Sequence, residues 1–440
     1  MFEKEEEQLS QYRNTFENLD IPIKAIDDAI LTGFQRAKLE KKKRVMGKKV
    51  VFSLTAAVLI FIGFFASIRM SPAFANSLST IPGMEKLVDL IRTDKGKMSA
   101  FENDYYEKIN ISQEKNGLTF TIEGAIADEN GLVIFYTLTS REKHKEIQIE
   151  NVKLESANGE NLNMGSSSFD STFSSEAGQA QQVKMMEFYL QTPIKTKEFI
   201  LNVRVKGGPK QEDFSLDFQI RKNIQPKKEY VLNKSITVEG QRMTFTKAVI
   251  YPLRAAVTVK MDPNNTMRLL YFDDIRLVDE QGEIWNKINN GITASFITPD
   301  EMILYLQSNY FREPKELYLV LDKIQAVNKA EAQVVVDAEK QQIIKQPKGD
   351  IFRSMYVNGE NLLFSFKTEK AFNSFLFSKI TDGNGQTIES DQSFMNGWDE
   401  SQMTEMGVHI PNLTNQVNPV SLELSSFPSW IEGHERIRIK

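Results

Sequence analysis

Three short phrases recur in the same order three times along this chain, and no other feature narrows its possible folds as far. The first is "GLTFTIEG" (117–124), "RMTFTKAV" (242–249) and "NLLFSFKT" (361–368). The second is "VKLESANGE" (152–160), "IRLVDEQGE" (275–283) and "SKITDGNGQ" (378–386). The third is "KEFILNV" (197–203), "KELYLVL" (315–321) and "NPVSLEL" (418–424). Apolar and polar residues alternate along these phrases, the period of a strand with one buried face. In each second phrase an aliphatic residue precedes a glycine by five positions: Leu154 and Gly159, Leu277 and Gly282, Ile380 and Gly385. Those glycines are expected in positive-φ turns between strands. A repeat of about 100 to 125 residues with several short strands predicts antiparallel β-sandwiches of immunoglobulin-like size. One long sheet is disfavoured, because the shared order implies three separate cores. The unpatterned, Pro/Lys-rich stretches 221–230 and 343–350 place the sandwiches at 105–224, 225–345 and 346–440. A "YLQ" precedes the third phrase in the first two copies only, at Tyr189 and at Tyr305.

Ahead of the repeats lies an apolar run, Val50 to Ile68, with no charge in 19 residues. As a helix it would be about 28 Å long, close to the hydrocarbon thickness of a bilayer. Ala73-Phe74-Ala75 beyond it has the small-x-small pattern of a signal cleavage site. A secretory signal, however, starts near the N-terminus and has a shorter apolar core, whereas 49 residues precede this one. The run is therefore expected to be a single transmembrane helix. Residues 30–49 carry eight Lys or Arg and residues 69–88 carry two, which puts the N-terminus in the cytoplasm and the repeats outside. The expected fold class is mainly β: three tandem sandwiches outside, one transmembrane helix, and a short helical cytoplasmic segment. Residues 69–104 read as a juxtamembrane helix and linker. Ile81, Met84, Leu87, Val88 and Ile91 form a helical stripe, opened by Pro82 and closed near Gly96, that would pack on the first sandwich.

Within the cytoplasmic segment 1–49, Leu9, Tyr12, Phe16 and Leu19 share one helical face. Asp20 and Pro22 then open a second helix whose stripe is Ile23, Ile26, Ile30, Phe34 and Ala37. Two such short helices cannot bury both stripes against each other stably. Either the second continues into the membrane span, or both meet a protein partner through Tyr12, Phe16, Ile23, Ile26, Ile30 and Phe34. The acidic start (Glu3, Glu5 to Glu7) disfavours anionic lipid and suits a basic cytoplasmic protein.

Chemistry-bearing patterns are sparse. With no cysteine, disulfides, thiol catalysis and thiolate metal sites are excluded. A net charge of -5 argues against direct nucleic-acid binding. His144, His409 and His434 are scattered without ligand spacing, so no metal or cofactor is expected. Ser112-x-x-Lys115 and Ser140-x-x-Lys143 lack the companion motifs of a penicillin-recognising site. "DGNGQT" from Asp382 fails as a calcium loop, since Thr387 stands at the position of the sharp-turn glycine, and reads as a hairpin turn. No enzyme activity is expected. The Ser-rich stretch 163–182 shows no strand pattern and is expected to be an exposed loop open to proteolysis.

At Ser71-Pro72-Ala73-Phe74-Ala75, Ile81-Pro82-Gly83, Asp94-Lys95-Gly96 and "INISQEKNGLTFTIEG" (109–124) the chain resembles a family of Gram-positive single-pass membrane proteins. Their ectodomain is of unknown function. A second domain of unknown function, common in such proteins, resembles residues 238–266 and 275–285, and the likeness runs to about residue 340. Members are often encoded beside sigma factors of the extracytoplasmic-function type, and some are described as anti-sigma factors. The resemblance thus implies an anti-sigma-like regulator with a cytoplasmic sigma factor and an unidentified extracytoplasmic ligand as partners. Residues 1–49 lack the His and Cys of the zinc-type anti-sigma pattern. The alternative from another class is a cell-surface binding or structural module without a signalling role.

Overall fold

The computed structural model describes residues 85–440 apart from 142–143, 176–182, 208–209, 289–292, 350, 371, 373, 391–392 and 396–401. All of them belong to one compact unit, Ala66–Lys440. Two α-helices open the described chain, α1 (Glu85–Ile91) and α2 (Lys95–Glu102). Nearly everything after them is antiparallel strand.

The first sandwich contains β1 (Glu107–Lys115), β2 (Leu118–Ala127), β3 (Gly131–Ser140), β4 (His144–Ser156), β5 (Met164–Phe169), β6 (Thr172–Ser175), β7 (Lys184–Leu190), β8 (Glu198–Gly207) and β9 (Lys210–Gln219). Its sheets are ordered β1-β2-β3-β7-β5 and β6-β4-β8-β9. Alternation places Leu118, Phe120 and Ile122 of β2 and Phe199, Leu201 and Val203 of β8 in the core between them. β3 departs from alternation, being buried throughout Gly131–Tyr136. Leu132, Ile134 and Tyr136 face the sandwich core, whereas Val133 and Phe135 lie under α1 and α2. A strand covered on both faces needs a continuous apolar run, which is why "GLVIFY" shows no period of two.

The second sandwich contains β10 (Lys228–Val238), β11 (Gln241–Ile250), β12 (Arg254–Met261), β13 (Met267–Asp279), β14 (Ile284–Asn286), β15 (Ala294–Thr298), β16 (Glu301–Gln307) and β17 (Leu317–Asn328). The third contains β18 (Gln333–Asp337), β19 (Gln342–Lys345), β20 (Phe352–Asn358), β21 (Asn361–Lys367), β22 (Phe377–Thr381), β23 (Thr387–Ile388), β24 (Ser393–Met395), β25 (Met403–His409) and β26 (Val420–Leu424). The chain's last strand is β27 (Trp430–Arg438).

The sheet orders reveal an exchange between these two sandwiches. In the first, β8 has its own hairpin successor β9 as outer neighbour. In the second, the place beside β17 belongs to β27, which arrives from the far end of the chain. In the third, the place beside β26 belongs to β18, the strand that follows β17. Compared with the first sandwich, the strand after β17 and the strand after β26 have thus changed places, β27 forming the edge of its sheet and β18 lying between β19 and β26. Ile431 and Ile437 of β27 enter the second core, and Val334 and Val336 of β18 enter the third. Boundaries at 345 and 346 do not describe this arrangement. Linker composition cannot reveal which strand a segment pairs with, because pairing is settled by distant partners.

The second and third phrases occupy equivalent places throughout: β4 beside β8, β13 beside β17, β22 beside β26. The glycines end these strands in positive-φ turns, at φ 79° for Gly159, 83° for Gly282 and 79° for Gly385. In the last two turns the carboxylate of Asp279 or Asp382 accepts from the backbone two and four residues on. That is the hairpin geometry expected at "DGNGQT". The first phrase is out of step in the third copy. β21 precedes the strand of the second phrase and pairs with β25, as β3 does with β7. "NLLFSFKT" therefore corresponds to β3 and β12, one strand later than its resemblance to β2 and β11 suggested.

Two further expectations are corrected. Among the described residues no helix is long and apolar enough to cross a membrane. The fold class stands as mainly β with two short helices, and the run Val50–Ile68 lies outside the described residues. The described part of the stretch 163–182 is not a plain loop either: β5 pairs with β7 and β6 with β4, while residues 176–182 lie outside the described residues. β5 and β6 are edge strands, and Ser166, Ser167 and Ser168 of β5 are exposed or half-buried there, so no apolar alternation is required.

Candidate functional site

The sequence-derived partner residues Tyr12, Phe16, Ile23, Ile26, Ile30 and Phe34, and the run ends Val50 and Ile68, lie outside the described residues. Among the described residues, the groups that depart furthest from ordinary surface or core behaviour meet where α1 and α2 join the first two sandwiches.

The junction is built from α2. Asp94 caps it, accepting from the Lys97 backbone N–H at 3.0 Å, the usual way to satisfy a first-turn donor. Gly96 does not end a helix here but sits in the first turn of α2. A Cβ on it would lie 2.6 Å from the backbone nitrogen of Ser308. Only glycine lets α2 come this close to the second sandwich. Gly96→Ala is expected to cost about 1–3 kcal/mol, as overpacking does; an unchanged urea midpoint would show that the contact yields freely. Met98, Ala100 and Phe101 then bury their side chains in a cluster with Leu87, Val88 and Ile91 of α1, Phe135 of β3, and Leu253 of the β11–β12 turn. The described part of the stripe, Leu87, Val88 and Ile91, thus packs on the first sandwich, and α2 reaches the second as well, while Ile81 and Met84 lie outside the described residues. Residues 95–102, expected as part of a linker, form a packed wedge.

Inside the wedge lies Lys97, 1% exposed. Its Nζ is 2.6 Å from Asp94 Oδ2 and 2.6 Å from Glu187 Oε1 on β7, itself buried. Burial disfavours the ammonium, but the carboxylates of Asp94 and Glu187 together outweigh it and hold the group well above the usual lysine range. Two residues along the same face of β7, the Tyr189 hydroxyl donates to Glu187 Oε2 at 3.4 Å. The Arg254 guanidinium carbon lies 3.6 Å from the centroid of the Tyr189 ring and 4.1 Å from that of Tyr305 on β16. The two rings lie 14° from parallel. A cation held against two aromatic rings and withdrawn from water, as Arg254 is at 5% exposure, gains more than an exposed one. These are the tyrosines of the two "YLQ" repeats, facing each other across the boundary between sandwiches. The third copy has no such boundary to close and lacks the motif. Its neighbour Gln307 holds the wedge directly, donating to Thr93 O at 3.0 Å and accepting from the Lys95 N–H at 3.4 Å.

Asp128, in the turn between β2 and β3, completes the cluster. Its carboxylate accepts from the backbone of Asn130 at 2.9 Å and of Leu253, in the second sandwich, at 3.1 Å. Full burial pushes its carboxyl up to about 6, against the opposing pull of Arg254 and these backbone donors. A raised carboxyl means that the folded chain binds a proton the unfolded chain does not. This stabilising contribution is complete below the ordinary carboxylate range and declines as pH rises through about 6. Each unit of displacement corresponds to roughly 1.4 kcal/mol. Asp128→Asn is expected to flatten the fall in unfolding free energy between about pH 4 and 6; an identical slope in variant and parent would place that proton elsewhere.

Sequence reading missed Lys97, Asp128, Glu187 and Arg254, since lone charged residues carry no pattern. The paired "YLQ" was the one available signal. No group of His, Asp and Glu able to hold a metal occurs among the described residues. Ser112 lies on β1, hydrogen-bonded to Thr121 at 2.8 Å, and Lys115 donates to the backbone of Asp213. A groove of about 400 Å³ runs along β4 and β5 of the first sandwich, lined by Leu154, Glu155, Glu160, Met164 and Phe188 among others. The junction can therefore fix helix and sandwich positions, and its chemistry is electrostatic.

Residues 41–140 match the model of a domain of unknown function (DUF4179), and residues 227–347 that of a family of unknown function (DUF5643). The chain thus carries domains of unknown function, as its resemblance implied. No curated protein matches it. Among solved structures, a conserved domain protein from Bacillus anthracis is 16% identical, with 58% of this chain and 90% of that one covered and a TM-score of 0.39. A cycloalternan-forming enzyme from Listeria monocytogenes, in complex with a pentasaccharide substrate, is 6% identical, with 68% of this chain and 29% of that one covered and a TM-score of 0.14. Likenesses this weak carry no argument about fold or activity.

Proposed function

We propose that the chain is a non-catalytic regulatory protein at the cell membrane, anti-sigma-like in action. In this reading segment 1–49 sequesters a cytoplasmic sigma factor, and the β-rich region outside senses or binds the signal. One observation supports it above the others. The described chain begins in a wedge clamped by buried charge to two sandwiches at once. A ligand that shifted one sandwich against the other would bear on that wedge, and through it on the residues that precede it. Tyr12, Phe16, Ile23, Ile26, Ile30 and Phe34 would supply the apolar anchors that a groove-bound helix uses. The test is retention of an adjacently encoded sigma factor by the full chain, with and without Ile30→Asp and Phe34→Asp. Retention that the double variant abolishes supports the proposal; no retention, or retention unaffected by the variant, refutes it.

The exchanged strands of the second and third sandwiches favour a second reading, a mechanically tied surface module without a signalling role. Deleting residues 2–34 separates the two. Derepression of one regulon supports the regulator, and an unchanged transcriptome supports the module.

A further inference from the structure

In the second and third sandwiches the chain folds back after the positive-φ glycine and lays a short strand along the one it has just left. β14 pairs with β13 through Leu277↔Trp285, and β23 pairs with β22 through Ile380↔Ile388. Trp285 and Ile388 both enter their cores. In each hairpin the aspartate N–H also closes the turn, Asp279 donating to Glu283 O at 3.2 Å and Asp382 to Gln386 O at 2.9 Å.

The first sandwich does not make this strand. Leu162 stands eight positions after Leu154, as Trp285 does after Leu277 and Ile388 after Ile380. Yet among the described residues nothing pairs with the outer edge of β4 beyond Ile149. The cause is local. Ser156 stands where the other two copies have aspartate, so no carboxylate gathers the N–H groups two and four residues on. The Glu160 N–H goes to Asn158 Oδ1 instead, at 3.0 Å, and among the described residues no bond joins the Ser156 N–H to Glu160. Asn163 is then drawn to the opposite sheet, its carbonyl accepting from Gln191 at 3.0 Å, and the chain continues into β5.

This splayed hairpin leaves the groove of about 400 Å³ beside β4. One wall is the open strand edge. Ala157 N–H donates to Glu198 O at 3.0 Å toward β8. By antiparallel alternation the backbone groups of Val152, Leu154 and Ser156 therefore point away from β8, and all three residues line the groove. The floor is apolar, formed by Leu154, Leu162 and, from the facing sheet, Phe188. An unpaired edge above an apolar floor is what strand addition uses.

We propose that the outer edge of β4, residues 152–156, is a strand-acceptor site for an extended segment of a partner polypeptide, with a bulky apolar side chain opposite Leu154. The chain's own repeats identify the occupant's chemistry. In both filled copies it is a few residues of antiparallel strand carrying Trp or Ile at the position opposite Leu277 or Ile380. The site is independent of the regulatory reading, since it takes a peptide whether or not the chain controls transcription.

The probes are fluorescein-labelled peptides with the sequences of the two filling strands, residues 282–288 and 385–390, titrated against the full chain and followed by anisotropy. Saturable binding of at least one is expected. Methylating the backbone nitrogen of Trp285 or Ile388 in the peptide should weaken it by about tenfold or more, because that N–H faces the acceptor strand. Methylating the next residue, Asn286 or Glu389, whose N–H points away, should change it by less than about twofold. This comparison is read on the parent chain and needs no variant. Ser156→Asp combined with Leu162→Trp restores both residues of the second copy; it should close the hairpin and abolish binding. No saturable binding by either peptide overturns the proposal, as does equal loss at the two methylated positions. Binding that survives in the double variant overturns it too, and would place the peptide on the β13 or β22 edge.

Discussion

Replacing Ile431 and Ile437 by aspartate unfolds the second sandwich, although neither residue lies in the segment that otherwise builds it. Both isoleucines are buried, at 2% and 5% exposure, in the cluster that contains Leu319, Leu321 and Trp285. Losing a buried aliphatic side chain costs about 2–5 kcal/mol, and burying a carboxylate without a partner adds to that. Two such sites together remove about 4–10 kcal/mol before the buried charges are counted, comparable with the roughly 5–15 kcal/mol of a whole domain's stability. The readout is Trp285, wholly buried in that core, whose emission should shift to that of a solvated indole at temperatures where the parent is native. A second consequence separates strand exchange from simple tethering. Val334→Asp in β18, a residue of the third core, should lower the transition reported by Trp285 as well, because β18 and β27 are exchanged between interlocked sandwiches. Two independent transitions, one per sandwich, would contradict the exchange.

Substituting methionine for Lys97 is expected to cost about 3–5 kcal/mol, the effect of leaving buried charges without their partner. Here the stranded groups are two carboxylates, Asp94 and Glu187, each 2.6 Å from the missing ammonium. They would face one another with Glu187 buried and Asp94 only partly exposed. Adding Glu187→Leu should restore most of the loss, since an apolar pair of similar volume replaces an ion pair at little cost. Lowering the pH should also shrink the penalty of the single variant, because protonation neutralises the carboxylates. A loss below about 1 kcal/mol, the worth of an exposed pair, would show that water reaches the cluster and that the wedge is not clamped. If the regulatory reading holds, the single variant should also derepress its target genes in the absence of signal.

The repeated phrases, the positive-φ glycines and the amphipathic stripe of α1 were legible without coordinates, because each depends on residues a few positions apart. Alternation says which face of a strand is buried, and a glycine after an aspartate says where the strand turns. Neither says which strand lies alongside. That choice is made by contacts between distant positions, from Asp279↔Leu317 between β13 and β17 to Tyr318↔Arg438 between β17 and β27. The exchange of β18 and β27 and the shifted place of β21 therefore emerged only in three dimensions. The same limit hid the junction. Lys97, Asp128, Glu187 and Arg254 are unremarkable in sequence and become a site only when α2 is wedged against two sandwiches and water is excluded. The chain by itself determined that it would form β-sandwiches with a helix laid on the first, through the periods written into its strands and its stripe. Tertiary structure decided which sandwich owns each outer strand and where charge is trapped, because pairing and desolvation are properties of residues that meet only after folding.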